Sequence, residues 1–394
     1  MSRTSFTRRA ALALALAAAP GAALARGDFG GFVESLWPRA RAAGISRETF
    51  DSVANGLAAD ASLMGLRAKQ AEFSKPLSEY LAQAASAGRA SRAQAQARGY
   101  GGALAQIENR TGVDKEIVLA IWGMETDFGR DMGNRDVLRS LATLAYAHPD
   151  NPVYAEEFIA GLAMIEKGYA ERARMKGSWA GAMGNPQFMP SAYLKHAVSL
   201  GDGAADIWTS VPDSLASIAN FMKNSGWVAG SPPLVETRIP DGFDWSVLKQ
   251  SFGAWSRMGF RDIDGDALPA SGEAMLFLPA GAKGPALLLG PNFFVLKAYN
   301  FSDSYAAAVS VLANRIGGGA GVRAQWPKDD GLDAAGRARI QTILKQKGLY
   351  DGKIDGRFGP ITRLAVHEYQ KRAGITPADG FPSKALLHRM GGGE

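Results

Sequence analysis

The chain has 394 residues, enough for two or three domains that each bury a core. It holds no cysteine, which excludes disulfides, thiolate metal sites and a cysteine nucleophile. The formal net charge of +6 is a mild surplus, far from the basic footprint of a nucleic-acid binder, so no nucleic-acid partner is expected.

Residues 1–25 read as an export signal. Arg8 and Arg9 precede the Ala/Leu run Ala10–Ala19, and Ala23-Leu24-Ala25 supplies the small residues of a cleavage site. A mature chain starting at Arg26, in the periplasm, is the expectation. The apolar run is too short to span a bilayer. The arginine pair fits the twin-arginine route and equally a general secretory signal. No cysteine follows the cleavage site, so no membrane anchor is expected. Loss of Arg3, Arg8 and Arg9 leaves a charge of +3, which suits weak attraction to an anionic polymer and is explained as well by an ordinary solvated surface.

Apolar positions three and four apart predict helices at Phe29–Ala42, Arg47–Leu57 and Ala90–Arg110, with Ser46 as a helix start. Helices continue from 113 to 227, with Gly/Pro breaks at Gly129–Gly133, Pro149–Pro152, Gly177–Pro190 and Gly201–Gly203. Between 232 and 296 the pattern changes. Val235–Ile239, Ala274–Pro279, Ala286–Leu289 and Phe293–Leu296 are short, apolar or β-branched, and read as strands. Tyr305–Ile316 returns to helix. Gly317–Gly321 opens a flexible linker. It lacks the preceding strand and following acid of a dinucleotide loop. Ala334–Lys347 and Thr362–Ala373 are amphipathic, and the turn-rich segment GLYDGKIDGRFG, 348–359, separates them.

Two segments carry chemistry. Ile117–Gly129 (IVLAIWGMETDFG) sets Glu125 at the end of an apolar run. Burial there disfavours the charged carboxylate, raises its pKa and suits a general acid. The plain alternative is a glutamate facing solvent or paired with Arg130. Lys176–Pro190 (KGSWAGAMGNPQFMP) is rich in glycine, methionine and aromatics, with one amide, Gln187, and no charge after Lys176. It suits the wall of a groove that receives a sugar chain.

These segments, with DIWTSVPDSLASIANFMKNSGW and NFFVLKAYNFSDSYAAAV, resemble the lytic murein transglycosylase B family, in its soluble form, over roughly residues 29–316. Residues 331–390 resemble the three-helix peptidoglycan-binding module through Ile340-Gln341, Leu344, Leu349-Tyr350-Asp351-Gly352, Ile354-Asp355-Gly356, Phe358-Gly359, Thr362, Val366 and Tyr369-Gln370. The resemblance implies a mainly α architecture: a lysozyme-like, α-rich catalytic domain with a small β insert, a linker at 317–330, and a three-helix binding domain. It implies cleavage of the β-1,4 bond between N-acetylmuramic acid and N-acetylglucosamine, leaving a 1,6-anhydromuramyl end. The implied partners are glycan strands and stem peptides of peptidoglycan. No cofactor and no metal are expected, and protein partners stay unknown.

The family's catalytic acid falls on Glu125. Ser178 matches a serine that supports the N-acetyl group or the acid. Gln187 matches an amide that contacts sugar, with Phe188 and Met189 lining the wall. Tyr299 and Asn300 sit where the family holds the carboxyl and the substrate, Tyr305 follows at the family's spacing, and Tyr80 resembles a groove tyrosine. For each tyrosine the alternative is core packing with a satisfied hydroxyl. Ordinary glycosidases need two carboxylates. Asp127, two residues on in a helix, would point to another face, so a single acid assisted by the substrate's N-acetyl group is expected.

Three departures from the family stand out. Asn185-Pro186 replaces a Tyr-Gly pair, and proline stiffens the turn and removes a donor. Asp150 and Asn151 replace two arginines that would suit acidic stems. The calcium loop of some relatives keeps only Asp202 and Asp206, too few for a cation that wants six or more oxygens. Asp262–Asp266 has the acid spacing of a calcium loop start, with Glu273 at the twelfth position, but Gly265 is misplaced and Pro269 interrupts, so it reads as a turn. His367 and His388 lack zinc-site partners. Two other functions stay open: a muramidase that hydrolyses the same bond, and a wall-binding protein without catalysis. A serine or zinc peptidase has no motif in its favour.

Overall fold

The computed structural model describes residues 28–64, 76–327 and 332–391. The export signal expected at 1–25 and the linker residues 328–330 lie outside them. The chain divides into two compact units, each assembled from separate stretches. Of the described residues, the first takes 28–64, 86–229 and 295–305; the second takes 76–85, 230–294, 306–327 and 332–391.

The first unit is helical and surrounds the helix Lys115–Thr126. Ile117, Val118, Leu119, Ala120, Ile121, Trp122 and Gly123 are all buried. A helix apolar on every side must sit inside its domain. The helices Ala87–Gly99, Gly101–Thr111 and Val211–Asn224 pack on it. A second pair, Val137–Ala147 and Pro152–Glu166, completes the core. The Ser46 hydroxyl accepts from Thr49 N at 3.1 Å and starts the helix Arg47–Ala54, as expected. The helix expected over Phe29–Ala42 is two, Phe29–Ser35 and Trp37–Ala42. Pro38 has no N–H to continue the first into the second. The helix expected over Ala90–Arg110 starts earlier, at Ala87, where the Ser86 side chain caps it, and breaks at Tyr100. Gly99 and Gly101 flank that break, and glycine is a poor helix former.

The second unit holds a five-stranded antiparallel sheet in the order Lys249–Ser251, Glu273–Phe277, Ala286–Leu289, Leu234–Arg238, Arg261–Asp262. Val235 pairs with Leu288, and Met275 with Leu289. Phe252, Trp255, Phe260 and Leu276 form its core. Three expected strands are present within one or two residues. Phe293–Leu296 is not a strand; it lies in the helix Pro291–Tyr299. A run of four apolar residues does not separate strand from helix, and Pro291 presets φ for a first helical turn.

The segment after Ile316 is not the free tether its glycines suggested. Asn314 Oδ1 accepts from Gly321 N at 2.9 Å, and the buried Glu236 carboxylate accepts from Arg323 N and Ala324 N, both at 2.8 Å. Residues 317–327 are therefore fastened to the sheet. In the same unit, the helices Ala334–Gln346, Pro360–Arg372 and Lys384–Arg389 bury Ile340, Leu344, Val366 and Leu386 between them. This small bundle is joined to the sheet: Asp379 accepts from Ala282 N at 2.7 Å, and Arg363 Nη1 donates to Leu276 O at 3.0 Å. Among the described residues, no helix is long and apolar enough to cross a membrane.

Candidate active site

Glu125 occupies the last turn of the helix Lys115–Thr126. The expected burial stops short of it: residues through Gly123 are buried, whereas Met124 and Glu125 are half-buried. The helix then ends abruptly. Asp127 and Phe128 take positive φ values of 48° and 64°, and Gly129 follows at 81°. Two successive non-glycine residues in the left-handed region store strain, which persists only where surrounding contacts impose it. Here the Phe128 ring folds back over the helix and meets Trp122 edge-on, with centroids 5.4 Å apart. Only a glycine at 123 leaves room, since a Cβ there would stand 2.7 Å from the ring.

Tyr305, buried in the first turn of the helix Asp303–Ile316, donates its hydroxyl to Glu125 Oε1 at 2.7 Å. Asp127, the nearest acid in sequence, is engaged elsewhere. Arg92 Nη2 lies 2.7 Å from its carboxylate, Arg130 Nη1 3.5 Å and Arg89 Nε 3.8 Å. Burial pushes the Asp127 pKa up. The Arg92 hydrogen bond and the charges of Arg92, Arg89 and Arg130 outweigh it, so the group is held below the usual carboxylate value. It stays ionised and structural.

The segment 177–189 folds into two tight turns. Ser178 N donates to Ala182 O at 2.8 Å, and the Ser178 hydroxyl accepts from Ala182 N at 3.1 Å. Met183 and Phe188 exchange backbone hydrogen bonds of 2.8 and 3.0 Å, closing Gly184-Asn185-Pro186-Gln187. Gly184 lies against Ile207 O, where a Cβ would come within 2.5 Å.

The residues expected in the groove divide into three sets. Glu125 and Tyr305 are brought together. Ser178 and Asn300 are half-buried, and each hydrogen-bonds its own loop: Ser178 to Ala182, and Asn300 Oδ1 to Ser302 N at 3.2 Å. Gln187 has φ +50°, and its amide nitrogen donates to Gly184 O at 2.9 Å and Met132 O at 3.1 Å, inside the protein. The third set corrects the expectation. Phe188 and Met189 are buried, with Phe188 packed on Phe221 and Tyr299, so they back the wall and do not surface it. Tyr299 is fully buried, and its hydroxyl donates to Pro186 O at 2.5 Å. Tyr305 holds the carboxyl; Tyr299 holds the loop. Tyr80 lies on the helix Leu77–Ala84 of the second unit with its ring buried.

Asn185 is the residue whose role the sequence reading missed. It is buried, and Trp122 Nε1 donates to its Oδ1 at 2.8 Å. Its Nδ2 donates to Ile207 O and Trp208 O, each at 3.3 Å, and Thr126 Oγ1 donates to its carbonyl at 3.3 Å. One side chain thus joins the Glu125 helix, the glycine loop and the 207–208 turn. Its only trace in the sequence is an amide set between glycine and proline.

A family model described as the transglycosylase SLT domain matches residues 28–314, and one described as a putative peptidoglycan binding domain matches 333–390. The membrane-bound lytic murein transglycosylase B of Escherichia coli K12 is 36% identical over 214 residues, which are 52% of this chain and 57% of that protein. This chain therefore matches little more than half the length of that curated relative. SltB3 from Pseudomonas aeruginosa, solved in complex with NAG-NAM-pentapeptide, is 39% identical with a TM-score of 0.85, covering 92% of this chain and 99% of that one. The Escherichia coli transglycosylase Slt35, solved in complex with calcium, is 27% identical with a TM-score of 0.61, covering 75% of this chain and 95% of that one. The residues of this chain do not fit a calcium loop at 199–206. Asp206 is committed to Arg174 at 2.6 Å and to the Thr209 and Trp208 amides at 2.9 and 3.0 Å. Among the described residues no three acidic or histidine side chains gather as a metal site would require.

Proposed function

The chain belongs to the SLT-domain transglycosylase family, and on that premise we propose that it is a lytic murein transglycosylase. It cleaves the β-1,4 bond between N-acetylmuramic acid and N-acetylglucosamine in peptidoglycan and leaves a 1,6-anhydromuramyl end. The observation that carries this reading is one half-buried carboxyl, Glu125, fixed by the Tyr305 hydroxyl at 2.7 Å, with the neighbouring acid held by Arg92. A hydrolase of the two-carboxylate kind needs a second acid to activate water or attack the sugar, and Asp127 is not placed to serve.

One acid can run the whole reaction. Protonated Glu125 gives its proton to the glycosidic oxygen as the bond from muramyl C1 to that oxygen breaks. The N-acetyl carbonyl of the muramyl residue shares the positive charge that develops at C1. Ionised Glu125 then takes the proton of the C6 hydroxyl while that oxygen bonds to C1. The carboxyl ends as it began, and no water is consumed. Tyr305 fixes the carboxyl between the two transfers, and orientation of this kind is a large part of a catalytic advantage.

The binding module at 331–390 supplies wall attachment in this reading, and residues 1–25 direct export to the periplasm. The stem peptides contact the protein as well as the glycan. The test is the mass of muropeptides released from purified peptidoglycan by residues 26–394, alongside Glu125→Gln. Products one water lighter than hydrolysis products, absent with the variant, are expected. Products of hydrolytic mass would make the protein a muramidase. Wall binding with no release from the unaltered protein would leave it a binder.

A further inference from the structure

We propose that a cavity in the second unit, at the open edge of the strand Leu234–Arg238, binds a stem peptide of peptidoglycan. The proposal rests on the function proposed above, which supplies the peptide, and it adds a site built wholly from the second unit.

The cavity has a volume of about 410 Å³, within the range of roughly 300–1,000 Å³ that holds small ligands. The strand, the turn after Asp262, the helix Asp303–Ile316 and residues 319–323 of the fastened segment line it. The edge strand Arg261–Asp262 covers only Thr237 and Arg238. Ile263 N then donates to Glu236 O at 3.0 Å. There the chain turns back, with Asp262 Oδ1 accepting from Asp264 N and Asp266 N at 2.9 and 2.7 Å. Backbone groups of successive residues in an antiparallel strand face its two edges alternately. Pro233 O faces the strand Ala286–Leu289, just beyond which it accepts from Gly290 N at 3.0 Å, and Glu236 O faces the other edge. Leu234 therefore turns its N–H and C=O to the uncovered edge, where neither is bonded to a described residue. Asn314 adds a third group. Its Oδ1 is taken by Gly321 N, and its Nδ2 has no acceptor among the described residues. A donor and an acceptor on one wall, with a donor on another, match the amides of an extended peptide. Open sheet edges capture such peptides through the main chain.

The lining selects among peptides. Val235, Ile263, Val311 and Val322 give apolar walls, which suit methyl-sized side chains. Arg323 and Asp264 form an ion pair at the rim, each about half exposed. An exposed pair of this kind contributes about 0–1 kcal/mol, so a ligand can share both charges at little cost. A stem peptide offers small side chains, carboxylates for Arg323 and, at its diamino acid, an ammonium for Asp264. One uncovered strand residue grips a short peptide and gives little hold on a long strand of a partner protein.

The competing account is a solvent-filled cleft, left where residues 319–323 cross the sheet. Stem peptide freed from the glycan by an amidase is titrated calorimetrically into residues 26–394, unaltered and carrying Ala320→Trp or Arg323→Gln. Ala320 lines the cavity and is exposed, so tryptophan there fills the space without entering the core. The expected result is a Kd raised about tenfold by Ala320→Trp and about threefold by Arg323→Gln. A Kd that neither variant moves would overturn the proposal, because the peptide would then be bound elsewhere. So would an unaltered protein that binds no free stem; if the same preparation releases anhydro products from the wall, the proposed function still stands. Binding weakened by both variants, with no release by the unaltered protein, would support the site and overturn the proposed function.

Discussion

Gln341 and Asn185 are both buried amides that close glycine-rich loops, and they differ in how far they reach. Gln341 accepts from Asp355 N and Gly356 N at 3.0 and 2.8 Å and donates to Arg357 O at 2.9 Å. Every one of those partners lies within sixteen residues of it. Asn185 accepts from Trp122, sixty-three residues back, and donates to Trp208, twenty-three residues on. A locally satisfied amide makes a loop that holds its own shape. An amide bonded to distant segments makes the position of one loop depend on another, here on the helix that carries Glu125. The first arrangement suits a binding module. The second suits a site whose parts come from separate stretches of chain.

The comparison is broken most severely by removing what Asn185 positions. Glu125→Gln keeps the shape and deletes the transferable proton, so kcat should fall about a thousandfold, with the melting temperature nearly unchanged. Asn185→Ala leaves the Trp122 Nε1 donor buried and unmet. It should cost about 1–3 kcal/mol of stability and also lower kcat on short glycans about thirtyfold. A loss of stability without a loss of kcat would make Asn185 no different from Gln341. Tyr305→Phe removes one hydrogen bond to the carboxyl and should reduce kcat about tenfold at nearly constant KM, read from steady-state rates.

Gln341→Ala is the matching change in the other loop. It should destabilise the module by about 1–3 kcal/mol and weaken sedimentation with whole peptidoglycan, while turnover of short soluble glycans changes less than about twofold. The smallest effect concerns pH. Burial pushes the Asp206 pKa up, but hydrogen bonds from the Thr209 hydroxyl and amide, Arg174 and the Trp208 amide bring it down to about 2. A folded value below the unfolded one stabilises the protein above about pH 4 and loses that contribution as the pH falls toward 2. Asp206→Asn should flatten the curve of melting temperature against pH in that window. An unaltered slope would show that Asp206 does not supply it.

Local order was legible in the sequence, and distant pairing was not. Ser46 announced the helix Arg47–Ala54 because a cap and its partner lie three residues apart. Glu125 stood out because it closes the apolar run that includes Ile121, Trp122 and Met124, and because the acid of the resembled family falls on it. Val235, Ala286 and their neighbours marked strands through β-branched and apolar patterning. Phe293–Leu296 misled because four apolar residues fit either period. The pinned linker was unreadable, since Glu236 lies eighty-seven residues before the Arg323 amide it accepts from. Tyr299 and Tyr305 are six residues apart on adjoining helices, and composition does not reveal which hydroxyl meets the carboxyl and which meets Pro186. Asn185 was noticed only as a departure from a family pattern, because its side-chain partners lie between twenty-two and sixty-three residues away in the chain.

The central claim is that a single carboxyl, Glu125, completes the reaction without water. Cleavage of purified glycan strands in water enriched in oxygen-18, followed by mass spectrometry of the muramyl ends, tests it most directly. The account predicts muramyl products that carry no heavy oxygen, because the C6 oxygen of the sugar closes the bond at C1. One atom of oxygen-18 per cut would contradict it and would require a group that activates water.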